Sequence, residues 1–410
     1  MSKYSWNPVY ERLMEMKRKA GEAGFSFDYN KSYETGKTIL HEMSGFLGGE
    51  YDEWLNTLKV KQKGSFVLLH YDLLSALDMW NDTEDINREA RSITIDMDKE
   101  EIVLCPFGKF FNIGEAENDV DSIKRAIVET PFLEVAEKMD GSNINAALYD
   151  GKIVSSSSGS LDEDDSFQLK IANEMLENKN YSDMISSMPD HTFIFELIHP
   201  DDPHVVDYHG EKGLYLITAR NKFDGKILPY SESAKIADKY GVKHVKTFKY
   251  GLSELEKYKE TLKACDSEGF VLNIAGRYVK YKTDDYLALH KVVSGNKPFK
   301  TRVYEAVRDG IFDDFYSCLT ISSRKREAAF LAEEILKLES EKNGIVEDFV
   351  NKNKDLPRKE FAQKVFSGLN PGLSHYAFSM LDGKEERYFP DLSDIPDYEE
   401  EELEENDIEL

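Results

Sequence analysis

The sequence predicts an α+β fold followed by an all-helical segment, and three observations carry that prediction. From Ser65 to about Lys291, short apolar or alternating runs are separated by turn residues. Beyond Lys291 the apolar residues recur at helical spacing instead. Within the strand region, Glu137-Lys138-Met139-Asp140-Gly141-Ser142-Asn143 sits between an apolar run (Phe132 to Ala136) and an alternating one (Ile144 to Tyr149). That placement puts Lys138 at a turn between two strands, with Gly141 free to adopt a positive φ.

The elements follow in order. Asn7-Pro8 caps a helix whose apolar face is Tyr10, Leu13 and Met14. Tyr51, Trp54, Leu55 and Leu58 suggest a second short helix. Gly36-Lys37-Thr38 imitates the end of a phosphate-binding loop, but position 31 is Lys31 where that loop needs glycine. Strands are expected at 65–70, 91–97, where apolar residues alternate, 102–104, 106–112 and 152–154. A serine-rich loop, Ser155 to Ser160, precedes a helix around 167–176. Strands resume at 192–198 and 213–219, helices at 231–240 and 254–265, and strands at 269–273 and 278–282. The helical part then runs through 303–308, 324–348 and 359–366.

Composition narrows the function classes. With 32% charged and 40% apolar residues the chain reads as soluble and globular. No apolar run approaches the roughly 20 residues of a membrane span, and the N-terminus lacks a signal-peptide core. Cys105, Cys265 and Cys318 are isolated, so neither a disulfide framework nor a cysteine-rich zinc site is expected, and a reducing cytoplasm is (the host's, if the source is viral). The net charge is −26; residues 391–410 hold eleven Asp or Glu and no Lys or Arg, which leaves −15 on residues 1–390. Any contact with nucleic acid must therefore rest on a focused basic site. The end of the chain reads as a disordered acidic tail.

Charged residues recur on the apolar strands. Glu196 lies inside Phe193-Ile-Phe-Glu-Leu-Ile198, Glu268 precedes Gly269-Phe-Val-Leu272, and Lys280 and Lys282 flank Tyr281 on one strand face. Two like charges side by side call for an anion between them, and a phosphate chain would serve. Such cations would also favour a neutral amine at Lys138, as a lysine nucleophile requires. The plainer readings are a hairpin with a solvated lysine and an edge strand with two surface lysines. His199, Asp201, Asp202, His204, Asp207 and His209 have ligand chemistry without zinc-site spacing, and fit a polar loop near a pocket better. Tyr215 is either a base-stacking ring or core, and of Phe110 and Phe111 one should be core while the other faces the pocket.

Taken in order, Lys138-x-Asp140-Gly141, Phe195-Glu196, Glu268-Gly-Phe-Val271 and Val279-Lys-x-Lys282 resemble the covalent nucleotidyltransferases, the ATP-dependent ligases and mRNA capping enzymes. Arg91 in Glu89-Ala-Arg-Ser-Ile93, Lys109 in Pro106-Phe-Gly-Lys-Phe-Phe-Asn112, and the run Lys280 to His290 are similar to the phage-type ATP-dependent RNA ligases of the tRNA-repair branch. The resemblance spans roughly Glu89 to Asp314. It implies a nucleotidyltransferase domain of antiparallel sheets with flanking helices over residues 1–291, including an N-terminal extension. A helical substrate-specificity domain would cover 292–390 and the disordered tail 391–410.

By the same resemblance, Lys138 would attack the α-phosphorus of ATP and carry AMP. Arg91, Lys109, Lys280 and Lys282 would hold the triphosphate, Glu196 the ribose, and Glu268, Asp313 and Asp314 a Mg2+ ion that Mn2+ could replace. The partner would be RNA with 5′-phosphate and 3′-hydroxyl ends, such as a nicked tRNA, acted on by a monomer. Where the family often presents a lysine-containing strand after the nucleophile, this chain has Ser155 to Ser160. The alternatives are a duplex-nick-sealing ligase, an mRNA guanylyltransferase, or a non-catalytic RNA-end binder.

Overall fold

The computed structural model describes residues 3–30, 38–72, 75–129, 133–202, 204, 206, 208–249, 251–259, 261, 267–283, 298–308, 310, 312–317, 322–384 and 386–398. The chain forms two compact units, Met1–Leu289 and His290–Leu410. The first unit is α+β and built on antiparallel sheets save for one parallel edge pair, and the described part of the second holds helices without strands. Among the described residues no helix is long and apolar enough to cross a membrane.

In the first unit the strands are β1 (Leu58–Lys63), β2 (Phe66–Tyr71), β3 (Arg91–Asp96), β4 (Glu101–Leu104), β5 (Phe111–Asn112) and β6 (Leu133–Lys138). They continue as β7 (Ser142–Tyr149), β8 (Lys152–Ser157), β9 (His191–Ile198), β10 (Gly213–Asn221), β11 (Thr247–Phe248), β12 (Gly269–Ile274) and β13 (Arg277–Lys282). Three sheets result, with orders β1-β2-β3-β4, β10-β9-β7-β8 and β11-β6-β12-β13-β5.

Each sheet buries one face under helices, as period-two alternation requires. Val67, Leu69, Ile93 and Ile95 of the first sheet pack with Leu13 and Met16 of the helix Pro8–Glu22 and with Ile39 and Met43 of the helix Ile39–Phe46. Pro8 opens its helix and the Asn7 side chain accepts from the Tyr10 N–H, the cap read in the sequence. Phe193, Phe195 and Leu197 of the second sheet meet Ala172, Leu176, Met184 and Ala237 from three helices. Val135, Phe270, Leu272 and Val279 of the third meet Ile123 and Leu255. The other faces of the second and third sheets share Ala136, Val271, Ile198 and Tyr215, with Phe110 and Tyr208 at the margin. The cleft with the charged residues lies along that shared core.

Several local expectations are corrected. Lys138 is not in a hairpin: β6 and β7 belong to different sheets, so the chain crosses from one sheet to the other directly after the lysine. Gly141 is not at positive φ. A Cβ there would lie 2.3 Å from the Leu197 carbonyl oxygen, so the crossover needs glycine for close approach to β9. Leu58 starts a strand rather than closing a helix, and β8 runs on through Ser157, into the serine-rich segment. The helix Val120–Glu129 was not evident from the sequence.

In the second unit the long helix Ser322–Asn353 packs through Val346 and Val350 against Phe361, Val365, Leu373 and Ala377. Residues 391–398, expected within a disordered tail, are packed here. Ile395 is buried, the Lys300 ammonium donates to its carbonyl and pairs with Asp397 at 2.8 Å, and Tyr398 meets the Phe330 ring. The apolar Ile395 and the aromatic Tyr398 anchor a segment whose acidity alone suggested solvent. Residues 399–410 lie outside the described residues.

Candidate nucleotide-binding site

Strand register assembles the centre of the site. In the third sheet β12 is flanked by β6 and β13, and Gly269 pairs with Lys138 on one side and Lys282 on the other. The next row on the same face is Ala136, Val271 and Lys280. Lys138, Lys282 and Lys280 therefore project from one face, as cross-strand partners do. Gly269 is constrained at this point: its φ is +145°, and a Cβ would lie 2.4 Å from the Tyr281 carbonyl oxygen.

Glu268, one residue before that row, lies between the two lysines. Its Oε2 accepts from Lys138 Nζ at 2.5 Å and its Oε1 is 3.2 Å from Lys282 Nζ. The Glu268 and Lys282 side chains are only 3% and 2% exposed, while Lys138 keeps 22%. The sequence reading surrounds Lys138 with cations; the structure inserts a carboxylate.

The second sheet supplies the opposite wall. Glu196 lies in β9 between Asn143 of β7 and Tyr215 of β10, and its Oε1 accepts from the Gly141 N–H at 3.1 Å. Burial pushes its carboxyl up to about 7, opposed by Lys138 and His204 and reinforced by Glu268 and Asp140. Those four groups are its electrostatic neighbours, although Glu196 is far from Lys138 in sequence. The Tyr215 ring is core, and its hydroxyl is 3.1 Å from Lys243 Nζ.

The loop after β9 braces the crossover that follows Lys138. Asp140 Oδ2 accepts from the Val206 N–H at 3.0 Å, and the Asp140 N–H donates to the Tyr208 hydroxyl at 2.7 Å. Ser142 Oγ donates to Asp202 Oδ2 at 2.6 Å, and His204 Nε2 lies 3.3 Å from the same oxygen. The bond to Asp202 holds the His204 imidazole above its ordinary pKa despite burial, with Asp140 and Glu196 helping. Burial opposes ionisation of Asp202, yet His204, Ser142 and Gln168 together hold it below the usual carboxylate range. Sequence reading placed this loop near the pocket but did not foresee its bonds to Asp140 and Ser142. Asp207 lies outside the described residues.

The remaining cations gather around aromatic rings. The Arg91 guanidinium lies 5.3 Å from the Phe110 ring centre and Lys280 Nζ lies 5.6 Å from it. Phe110 is the partly buried member of its pair, and Phe111 is core. Lys109 Nζ sits 4.5 Å from the Trp80 ring and 5.1 Å from Tyr71, whose hydroxyl it meets at 3.2 Å. So Lys138, Glu196, Glu268, Lys280 and Lys282 share the cleft and Arg91 joins them through Phe110, while Lys109 occupies an aromatic box beside it. Asp313 and Asp314 are on the helix Phe312–Ser317 of the second unit, and their side chains lie outside the described residues.

Next to Arg91, Ser92 is buried with φ +66°. Its hydroxyl donates to the Ser158 carbonyl at 2.6 Å and lies 3.1 Å from His70 Nδ1. The hydroxyl proton goes to Ser158, so His70 Nδ1 carries the hydrogen of the second bond. Burial keeps the imidazole neutral, lowering it to about 3, with Arg91, Lys59 and Lys109 adding to the effect.

Among the described residues no three His, Cys, Asp or Glu side chains converge to hold a metal ion. Glu268 is the carboxylate within the lysine row, and a magnesium-type ion carried on phosphate oxygens needs few protein ligands. Glu268 therefore offers one carboxylate to an ion that arrives on phosphate oxygens.

Residues 89–287 match the model of the RNA ligase family. Among solved structures, the chain is similar to two forms of an archaeal ATP-dependent RNA ligase. Form 2 is 19% identical, with 82% of this chain and 95% of that chain covered at a TM-score of 0.46. Form 1 is 20% identical, with 76% and 83% covered and a TM-score of 0.45. An RNA ligase from Naegleria gruberi, solved with ATP and Mn, is 15% identical over 41% of this chain and 55% of that one, with a TM-score of 0.34. With TM-scores this low none of the three bears on activity. Curated protein sequences yield no match.

Proposed function

On the match of residues 89–287 to the RNA ligase family model, we propose that this chain is an RNA ligase that consumes ATP and acts through a lysyl-AMP on Lys138. The observation that carries the reading is the row Lys138–Gly269–Lys282 with Glu268 between the ammonium groups, on one face of a cleft whose other wall holds Glu196.

Lys138 Nζ attacks the α-phosphorus; a P–N bond forms as the P–O bond to pyrophosphate breaks. The lysine proton must leave first, and Glu268 Oε2 is hydrogen-bonded to it. Lys280, Lys282 and Arg91 stabilise the triphosphate charge, which is the main task in phosphoryl transfer. Lys109 borders that group from its aromatic box. Glu196 orients the ribose hydroxyls. Glu268 would supply a carboxylate to Mg2+ or Mn2+, and such an ion would offset charge on the departing pyrophosphate. In the second step a 5′-phosphate oxygen of RNA attacks the same phosphorus, giving RNA-adenylate and freeing the lysine. In the third a 3′-hydroxyl attacks the RNA phosphate, the phosphodiester forms and AMP leaves. Residues 1–291 form the nucleotidyltransferase domain, and the helical residues after them select the RNA, with a broken tRNA loop as the fitting substrate.

The test is incubation with [α-32P]ATP or [α-32P]GTP, then with RNA bearing defined ends. We expect label on the protein from ATP alone, chased into RNA by a 5′-phosphate end. Label from GTP alone would make the chain a guanylyltransferase, and RNA binding without label from either would make it a non-catalytic end binder.

A further inference from the structure

Strict alternation along β3 would place Arg91 on the same face as Ile93 and Ile95, inside the apolar core under the N-terminal helices. The structure places it on the other face. Leu69 pairs with Ile93, but the next residue of β2, His70, pairs with Arg91, so Ser92 is an extra residue without a partner. That is a β-bulge, and its φ of +66° supplies the turn. Leu69 faces the core and His70 does not, so the bulge moves Arg91 to the His70 face. There the guanidinium meets the Phe110 ring, which Lys280 also approaches.

A left-handed serine inside a strand is strained unless its surroundings hold it. Two bonds do so here: His70 Nδ1–H to Ser92 Oγ, and Ser92 Oγ–H to the Ser158 carbonyl. The second bond also ties the end of β8 and its serine-rich loop to the strand that carries Arg91. We propose that Ser92, latched by His70 and Ser158, is a positioning residue that aims Arg91 at the nucleotide phosphates. The inference rests on Arg91 being a phosphate ligand, as proposed above.

Ser92→Ala keeps the strained backbone and loses both bonds, whereas Ser92→Gly also loses them but removes the strain. Ser92→Val adds a β-branched side chain that resists positive φ. Lysyl-AMP formation should fall most in Ser92→Val, roughly tenfold in Ser92→Ala and least in Ser92→Gly, given the penalty for left-handed L-residues. The decisive measurement is a double-mutant cycle. In an Arg91→Ala background Ser92→Ala should cost nothing more, because the residue it aims is gone. A serine that merely stabilises the fold would lower the rate by the same factor in both backgrounds, and that result would overturn the proposal. Circular dichroism identifies any variant that does not fold, and Ser92→Ala against Ser92→Gly decides the matter if Ser92→Val is lost. Failure of Lys138→Ala to abolish labelling would sink the ligase reading itself. Wild-type rates in Ser92→Ala beside a slow Arg91→Ala would sink only the latch.

Discussion

Two clusters of cations in one cleft are held in different ways. Lys138 and Lys282 share the two oxygens of Glu268, a carboxylate that is almost sealed from solvent. Arg91 lies instead over the Phe110 ring. A ring face attracts a cation without carrying net charge, so nothing is left ionised and buried if the cation goes. Removing one lysine from Glu268 does leave a buried charge short of a partner, and such losses are expensive. The electrostatic task proposed for both, presenting positive charge to phosphate, is thus coupled to folding in one cluster and nearly independent of it in the other.

Substitutions can break that contrast, and the largest effect is expected at Lys138. Lys138→Ala and Lys138→Arg should both abolish covalent AMP labelling, since a guanidinium stays protonated. Lys138→Ala should also lower stability by about 1–3 kcal/mol, because Glu268 loses a hydrogen-bond donor. Residual label on either protein would remove Lys138 from the reaction.

Lys282→Ala should slow adenylylation roughly a hundredfold, the rate equivalent of a charge-assisted contact worth about 3 kcal/mol at the transition state. Urea unfolding should show a further loss of about 3–5 kcal/mol from the broken buried pair. Arg91→Ala should slow the same step by a comparable factor while changing unfolding free energy by no more than about 0.5 kcal/mol. Equal destabilisation of Lys282→Ala and Arg91→Ala would erase the distinction between the clusters.

The last contrast concerns pH. Burial raises the Glu196 carboxyl to about 7 from an ordinary value of 4.5. In that window the folded state binds more protons than the unfolded one, so this group lowers stability as pH rises from 4.5 to about 7. Glu196→Gln should flatten that part of a stability–pH curve, leaving the variant relatively more stable near pH 8. A wild-type slope in Glu196→Gln would assign the dependence to other groups.

The centre of the site was legible because Lys138, Glu196, Lys280 and Lys282 lie on regular strands and Glu268 directly precedes one. Period two alone puts Lys280 and Lys282 on one face, and the four spaced motifs name Lys138, Glu196 and Glu268. What could not be read depended on irregularity or on distant partners. Alternation over 91–97 predicts the wrong face for Arg91, because a bulge leaves no mark in hydrophobic periodicity. The glycine in Asp140-Gly141 suggested a turn, whereas its cause is the Leu197 carbonyl of β9, far along the chain. Lys109 was read as a phosphate ligand without its aromatic box, which draws on Tyr71 and Trp80 from far upstream. In the second unit, Ile395 and Tyr398 are two apolar positions in an acidic run, too few for a period yet enough to dock it.

The shared carboxylate has a consequence for the covalent intermediate. Under the proposed reaction, forming the Lys138 phosphoramidate would replace the ammonium beside Glu268 Oε2 with a group bearing an anionic phosphoryl. The attraction that tethers that oxygen would turn to repulsion, while the pair with Lys282 would still hold the side chain. Each turnover would therefore carry its own timing signal. Glu268 is clasped from both sides here, and on the proposed mechanism AMP loading would release one of its oxygens, so loaded and empty enzyme would differ in local rigidity before any RNA arrives.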